Sequence, residues 1–150
     1  MKYWLMKSEP DVYSIDMLEK DQATYWDGVR NYQARNNMKA MKVEDLILFY
    51  HSNAKPKGVA GIAKVIKEAY PDFTAFDKKN KYYDSKSKTD NPIWYMVDIQ
   101  FVKRFRKVIT LEEIKSNKNL KDIVLLKNSR LSVQPVTKDE FVKILELEND

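Results

Sequence analysis

Residues 94–107, WYMVDIQFVKRFRK, carry the feature that most restricts the fold. Tyr95, Val97, Ile99, Phe101 and Phe105 fall on one side of a two-residue period, and Asp98, Gln100, Arg104 and Arg106 fall on the other. That period belongs to a long antiparallel strand with one solvated face. Two further segments read as strands without alternation. Residues 46–52, LILFYHS, form a nearly continuous apolar run, as in a central strand, and residues 59–67 form a second, reached through a Lys55-Pro56-Lys57-Gly58 turn. Residues 2–8 add a strand, and the alternation of Arg130, Ser132 and Gln134 with Leu131 and Val133 adds a short one.

Helix starts are marked by capping chemistry. Ser14 is placed to cap a short helix through about Lys20, with Tyr13 and Leu18 as a hydrophobic staple. Residues 30–41 suit a mostly polar helix. Thr110 with Glu113 forms a capping box stapled by Ile109 and Ile114. Thr137 with Glu140 repeats the device, stapled by Val136 and Phe141, and opens a helix to about Leu147. About five strands and four short helices result, so strands outnumber crossover helices. The expectation is an α+β fold, a twisted antiparallel or mixed barrel with short helices at its ends, rather than a doubly wound sheet.

The chain has 150 residues, which fits one domain spanning 1–150. It has no Cys, which excludes disulfides and thiolate-held zinc. Its one His, His51, excludes a histidine-rich metal site and any mechanism needing two histidines. Residues 1–9 are too short and too charged for a signal segment, and no apolar run approaches a membrane span. A soluble, cytoplasmic protein is expected. The formal charge of +5 favours polyanion partners. Residues 71–92, polar and bounded by Pro71 and Pro92, read as one long loop.

The densest chemistry lies in Tyr25-Trp26-Asp27-Gly28-Val29-Arg30-Asn31-Tyr32-Gln33-Ala34-Arg35-Asn36, which holds two of the chain's five Arg. Trp and Tyr offer stacking faces, worth about 1–3 kcal/mol per base. Asn31 can pair with a base edge, and Arg30 and Arg35 can fork onto a phosphate or a guanine edge. The same residues also suit a core Trp beside a solvated helix. Lys7-Ser8-Glu9-Pro10 ends the first strand at a sheet rim, either as an ordinary strand exit or as a ligand contact. In Tyr50-His51-Ser52-Asn53, adjacent strand residues point to opposite faces, so His51 is not placed to activate Ser52. Gly61 marks a bulge or a close approach. The acids Glu112-Glu113 are explained by a helix first turn. Lys103-Arg104-Phe105-Arg106-Lys107 is either a phosphate-tracking stripe or a solvated strand end.

Three strings together resemble the EVE domain: Trp4-Leu5-Met6-Lys7-Ser8-Glu9-Pro10, Trp26 through Asn36, and Phe49-Tyr50-His51-Ser52-Asn53. The resemblance continues in order through Glu68-Ala69-Tyr70-Pro71-Asp72, Asp90-Asn91-Pro92 and Arg130-Leu131-Ser132-Val133-Gln134-Pro135, so it covers essentially the whole chain. It implies a PUA-like pseudobarrel, related to ASCH and YTH domains. It also implies a reader that takes a flipped, modified base, such as a modified cytosine in DNA, into a pocket. The pocket would be built from Lys7, Ser8, Glu9, Trp26, Arg30, Asn31, Tyr50, His51, Ser52, Ser132 and Gln134, with Arg35 among the nucleic-acid contacts. No cofactor, metal or catalytic residue is implied. An RNA-binding PUA-like module is the alternative, followed by a small-molecule-binding domain or a nucleic-acid-modifying enzyme.

Overall fold

The computed structural model describes residues 1–150. β1 (Tyr3–Ser8) and β3 (Leu46–His51) lie side by side and parallel, Tyr3 opposite Leu46 and Ser8 opposite His51. Trp4, Met6, Ile47 and Phe49 enter one core, while Leu5, Leu48 and Tyr50 enter a second. Both faces of these strands are therefore covered, which is why their apolar runs do not alternate.

The other strands pair antiparallel around this centre. β4 (Gly58–Pro71) joins β3, β5 (Tyr95–Thr110) joins β4, β2 (Ala23–Tyr25) joins β5, and β6 (Val133–Val136) joins β1. The order β2-β5-β4-β3-β1-β6 makes one mixed six-stranded sheet. Register shifts between β4 and β5 bend this long pair. Gly61 sits in that bend. A Cβ there would run into the Lys103 carbonyl and the Ile15 side chain, so the expected close approach is to this chain's own atoms.

Helices α1 (Ile15–Asp21) and α2 (Tyr32–Ala40) cover the first core, contributing Ile15, Leu18, Ala34 and Met38. Helices α3 (Leu111–Ser116), α4 (Val124–Lys127) and α5 (Lys138–Asn149) cover the second, with Ile114, Leu125, Phe141 and Ile144. α2 packs against β4, β5 and β6, so it reaches towards both edges of the sheet. Asn37 on α2 donates to the Val133 carbonyl of edge strand β6 at 2.8 Å. The twisted sheet is thus closed by a helix into a PUA-like pseudobarrel, the α+β fold expected.

The capping signals operate as read. Ser14 Oγ accepts from Met17 N at 3.1 Å, and Thr110–Glu113 and Thr137–Glu140 form complete capping boxes. Some boundaries differ from expectation. β2 and α4 are additional, being too short to carry a period. β4 runs on to Pro71, because Tyr70 and Pro71 still pair with Met96 and Tyr95. β6 begins at Val133, opposite Met6; before it, Leu131 N turns back to the Asn128 carbonyl at 3.3 Å. No helix is long and apolar enough to cross a membrane.

Candidate functional site

A cavity of about 590 Å³ opens where the two sheet edges approach each other. From the β6 side come Ser132 and the exit of β1, Lys7, Ser8 and Glu9, with Val12 and Tyr13 following. From the β2 side comes Thr24 through Arg30, and Lys81 and Tyr82 close it from the long loop after β4. The volume lies in the range of about 300–1,000 Å³ found for small-ligand sites.

Trp26 is both packing residue and wall. It is 9% exposed, meets Phe49 edge to face at 5.5 Å, and still lines the cavity. Gly28 has φ +81°, and a Cβ there would lie 2.5 Å from the Tyr82 ring. Only glycine lets that ring close so tightly over the turn. The Gly28 amide donates to Asp72 Oδ2 at 2.8 Å.

Arg30 fastens the long loop to this wall. Its Nε donates to the Tyr82 carbonyl, Nη1 to the Val29 carbonyl and Asp72 Oδ2, and Nη2 to Thr74 Oγ1 and the Tyr82 carbonyl. All the guanidinium N–H groups are occupied. Arg30 therefore presents a face to the cavity and no free fork. Asp72, fully buried, also accepts from the amide and hydroxyl of Thr74, at 2.9 and 2.5 Å.

The remaining polar groups divide into held and unheld. Lys7 Nζ donates to the Ser129 carbonyl at 2.5 Å; burial, then Lys57, lowers its pKa. Ser8 Oγ donates to the Tyr13 carbonyl at 2.6 Å, and Glu9 accepts from Asn53 at 2.9 Å. The Tyr13 hydroxyl donates to Asp21 at 2.8 Å and is pushed up to about 12, chiefly by burial. Asp27 stands apart. Burial, followed by the charge of Asp72, raises its carboxyl above the usual carboxylate range. No other residue donates to it.

Of the expected residues, the cavity gathers Lys7, Ser8, Glu9, Trp26, Arg30 and Ser132. It does not gather Asn31, Arg35, Tyr50, His51, Ser52 or Gln134, each of which has another task. Asn31 Oδ1 caps α2 by accepting from Ala34 N at 2.9 Å. Arg35 donates to the Ile93 carbonyl at 3.0 Å and lies over Tyr32, which stacks on Trp94. Tyr50 is buried in the second core. His51 Nε2 accepts from Ile15 N at 3.1 Å at the start of α1, and burial lowers its pKa. Ser52 N donates to the Ser8 carbonyl at 2.9 Å, bracing the β1 exit. Gln134, opposite Leu5, is fully buried, and its amide donates to the Leu131 and Asn128 carbonyls.

The cations of the run 103–107 are exposed, and all but Lys107 pair with acids. Phe105 is buried, Lys103 and Arg106 pair with Glu148, and Arg104 pairs with Asp16 and Glu19. Asp27, Tyr25, Lys81 and Tyr82 join the cavity beyond the expected set. Gly28 signals a close neighbour in sequence, but not that the neighbour is Tyr82. At the cavity mouth, Tyr25 and Phe73 form an edge-to-face pair at 5.1 Å, 47% and 50% exposed.

A pseudobarrel with a cavity between its edges, walled by the Trp26–Arg30 segment, defines the class of small PUA-like domains. The EVE domain matches residues 2–147, and the chain belongs to the EVE domain family. Thymocyte nuclear protein 1 of Mus musculus is 49% identical, covering 97% of this chain and 73% of its own. The crystal structure of human THYN1 protein in complex with 5-methylcytosine-containing DNA is 48% identical with TM-score 0.96, covering 100% of this chain and 99% of that one. A hypothetical protein from Leishmania major is 52% identical with TM-score 0.97, covering 99% and 95%.

Proposed function

We propose that this chain is a nucleic-acid reader, acting as one EVE domain over 1–150, that takes a flipped, modified cytosine into the cavity between its sheet edges. The observation that carries this reading is the match, across the whole of this chain, to the human THYN1 chain whose structure was solved with 5-methylcytosine-containing DNA. The chemistry of the cavity supports it. Trp26 and Tyr82 offer aromatic walls, and a flat base gains about 1–3 kcal/mol from each good stack. That gain offsets part of the few kcal/mol needed to unstack a base. A methyl group adds only about 1–3 kcal/mol of discrimination through apolar contact. The exposed Tyr25–Phe73 pair at the mouth is suited to stack a flanking base.

No catalytic step is assigned to the cavity. His51 is engaged by the Ile15 amide, and Glu9 by Asn53, so neither stands ready as a base.

Fluorescence-anisotropy titrations test the reading. Matched DNA and RNA oligonucleotides with cytosine or 5-methylcytosine are compared at two salt concentrations against a random polyanion. The expected result is salt-sensitive binding to DNA that is tighter for the methylated base. Equal affinity for the polyanion would overturn it, tighter RNA binding would move the assignment to an RNA module, and turnover of the oligonucleotide would make it an enzyme.

A further inference from the structure

Resting on the reading of the cavity as a base pocket, we propose that Asp27 recognises the base. Its carboxyl accepts from the exocyclic amino group of cytosine and shares a proton with ring nitrogen N3.

The case is one of elimination within the wall. Arg30 has spent every N–H on the chain itself, and Asp72 is buried beneath it, accepting from Gly28, Arg30 and Thr74. Glu9 is held by Asn53 and Ser8 by the Tyr13 carbonyl. Asp27 lies between the aromatic wall Trp26 and the turn at Gly28, lines the cavity, and receives no hydrogen bond from another residue. Beyond its own backbone amide this half-buried carboxyl has no donor, so its open acceptor positions suit a ligand N–H. Among base edges, the amino group of cytosine is a donor that a carboxyl accepts.

The neighbouring charges act on Asp27 from several sides. Asp72 and Arg30 lie behind Asp27, Lys81 approaches from the long loop, and Lys7, Glu9 and Tyr13 stand on the opposite side of the cavity. Burial and Asp72 favour the neutral carboxyl, against Arg30 and Lys81. With the proton on the N3 side, the carboxylate faces two donors, N3–H and the amino group, whereas uracil presents one donor and one acceptor, so the shared proton favours cytosine. The proton comes from solvent. A proton shared with N3 holds the site protonated in the complex to a higher pH than in the free chain, so between those two values binding takes up a proton and weakens as pH rises.

The test measures affinity for one oligonucleotide carrying 5-methylcytosine, cytosine or uracil at a single position, between about pH 5 and pH 8. The wild-type chain is expected to prefer cytosine bases over uracil by on the order of ten- to a hundredfold and to bind more weakly as pH rises. Asp27→Ala is expected to lose both the preference and the pH dependence. Asp27→Asn has the same shape, an amide N–H to donate to N3 and an oxygen to accept from the amino group, so it should keep cytosine affinity within about threefold while its pH profile becomes flat. Urea unfolding of each variant separates misfolding from lost recognition. An unchanged pH profile and base preference in Asp27→Ala would overturn this inference and leave the pocket standing. A wild-type chain that binds no base better than a random polyanion would overturn both.

Discussion

Arg30 meets two demands at once: it bounds the cavity and it neutralises a carboxylate buried beneath it. Asp72 is fully buried, and its Oδ2 lies 3.0 Å from Arg30 Nη1. Removing the guanidinium leaves that charge without compensation, which typically costs about 3–5 kcal/mol. Arg30→Ala should therefore unfold at a markedly lower urea concentration and release the loop that carries Tyr82. Arg30→Lys should restore little, since an ammonium cannot reproduce the planar fork. A variant with wild-type stability would show that the pair is not structural. His51 makes a pH-dependent contribution. Burial holds its folded pKa below the ordinary 6.5, and its neutral Nε2 accepts from the Ile15 amide. A depressed pKa means that the unfolded chain binds the proton first as pH falls. The stability from His51 is thus complete above about pH 6.5 and is lost as pH falls through the folded value. The urea midpoint of wild type relative to His51→Gln should decline from about pH 7.5 to pH 5.5. A constant difference would contradict that linkage.

At the scale of elements, α2 packs across β4 and β5 to edge strand β6 and is positioned by its first residues. Asn31 accepts from Ala34 N to begin it, and Arg35 ties it to Ile93. Asn31→Ala should cost about 1 kcal/mol of stability and leave the preference between bases unchanged, because the residue caps a helix outside the cavity. A lost base preference at unchanged stability would place Asn31 in the site instead. This element also shows what was legible in the sequence. Local signals were accurate for the Ser14, Thr110 and Thr137 caps and the unbroken runs of β1 and β3, which depend on neighbours in the chain. The alternation of β5 holds for Val97, Ile99 and Phe101, which face the first core, but Phe105 enters the second, because the register shifts between β4 and β5 break the two-residue period. The string Trp26 to Asn36 was visible as a cluster, but its roles were not. Whether Asn31 meets a base or an amide depends on where the helix starts, and that differs from the expected start by two residues. The 71–92 segment was least legible of all. Its polar residues form short turns, as where Asp84 receives the Trp94 indole at 2.7 Å and Ser87 receives the Ile93 amide at 2.9 Å. Its contribution to the cavity wall, Tyr82 over Gly28, spans more than fifty residues and leaves no local pattern.

For the whole molecule, the proposed binding mode divides the work between charge and cavity. The net charge of +5 comes mostly from lysines, and three of the four cations in the densest basic run pair with acids on α1 and α5. Phosphate attraction is therefore expected from dispersed lysines such as Lys81 at the mouth, with the cavity supplying selectivity. Each neutralised phosphate contributes roughly −0.9 to the slope of log affinity against log salt on duplex DNA. Contact with two or three phosphates predicts a slope of about −2 to −3 that is the same for cytosine and 5-methylcytosine, because the methyl group carries no charge. A slope near zero would remove the backbone from the binding mode. The claim that a base occupies the cavity between the sheet edges is tested most directly by amide chemical-shift mapping of the labelled chain with a duplex bearing one 5-methylcytosine. The largest shifts should fall on Trp26, Asp27, Gly28, Tyr82 and Ser132, with small changes on α5. Shifts confined to exposed lysines, with the amides of the cavity wall unmoved, would contradict it.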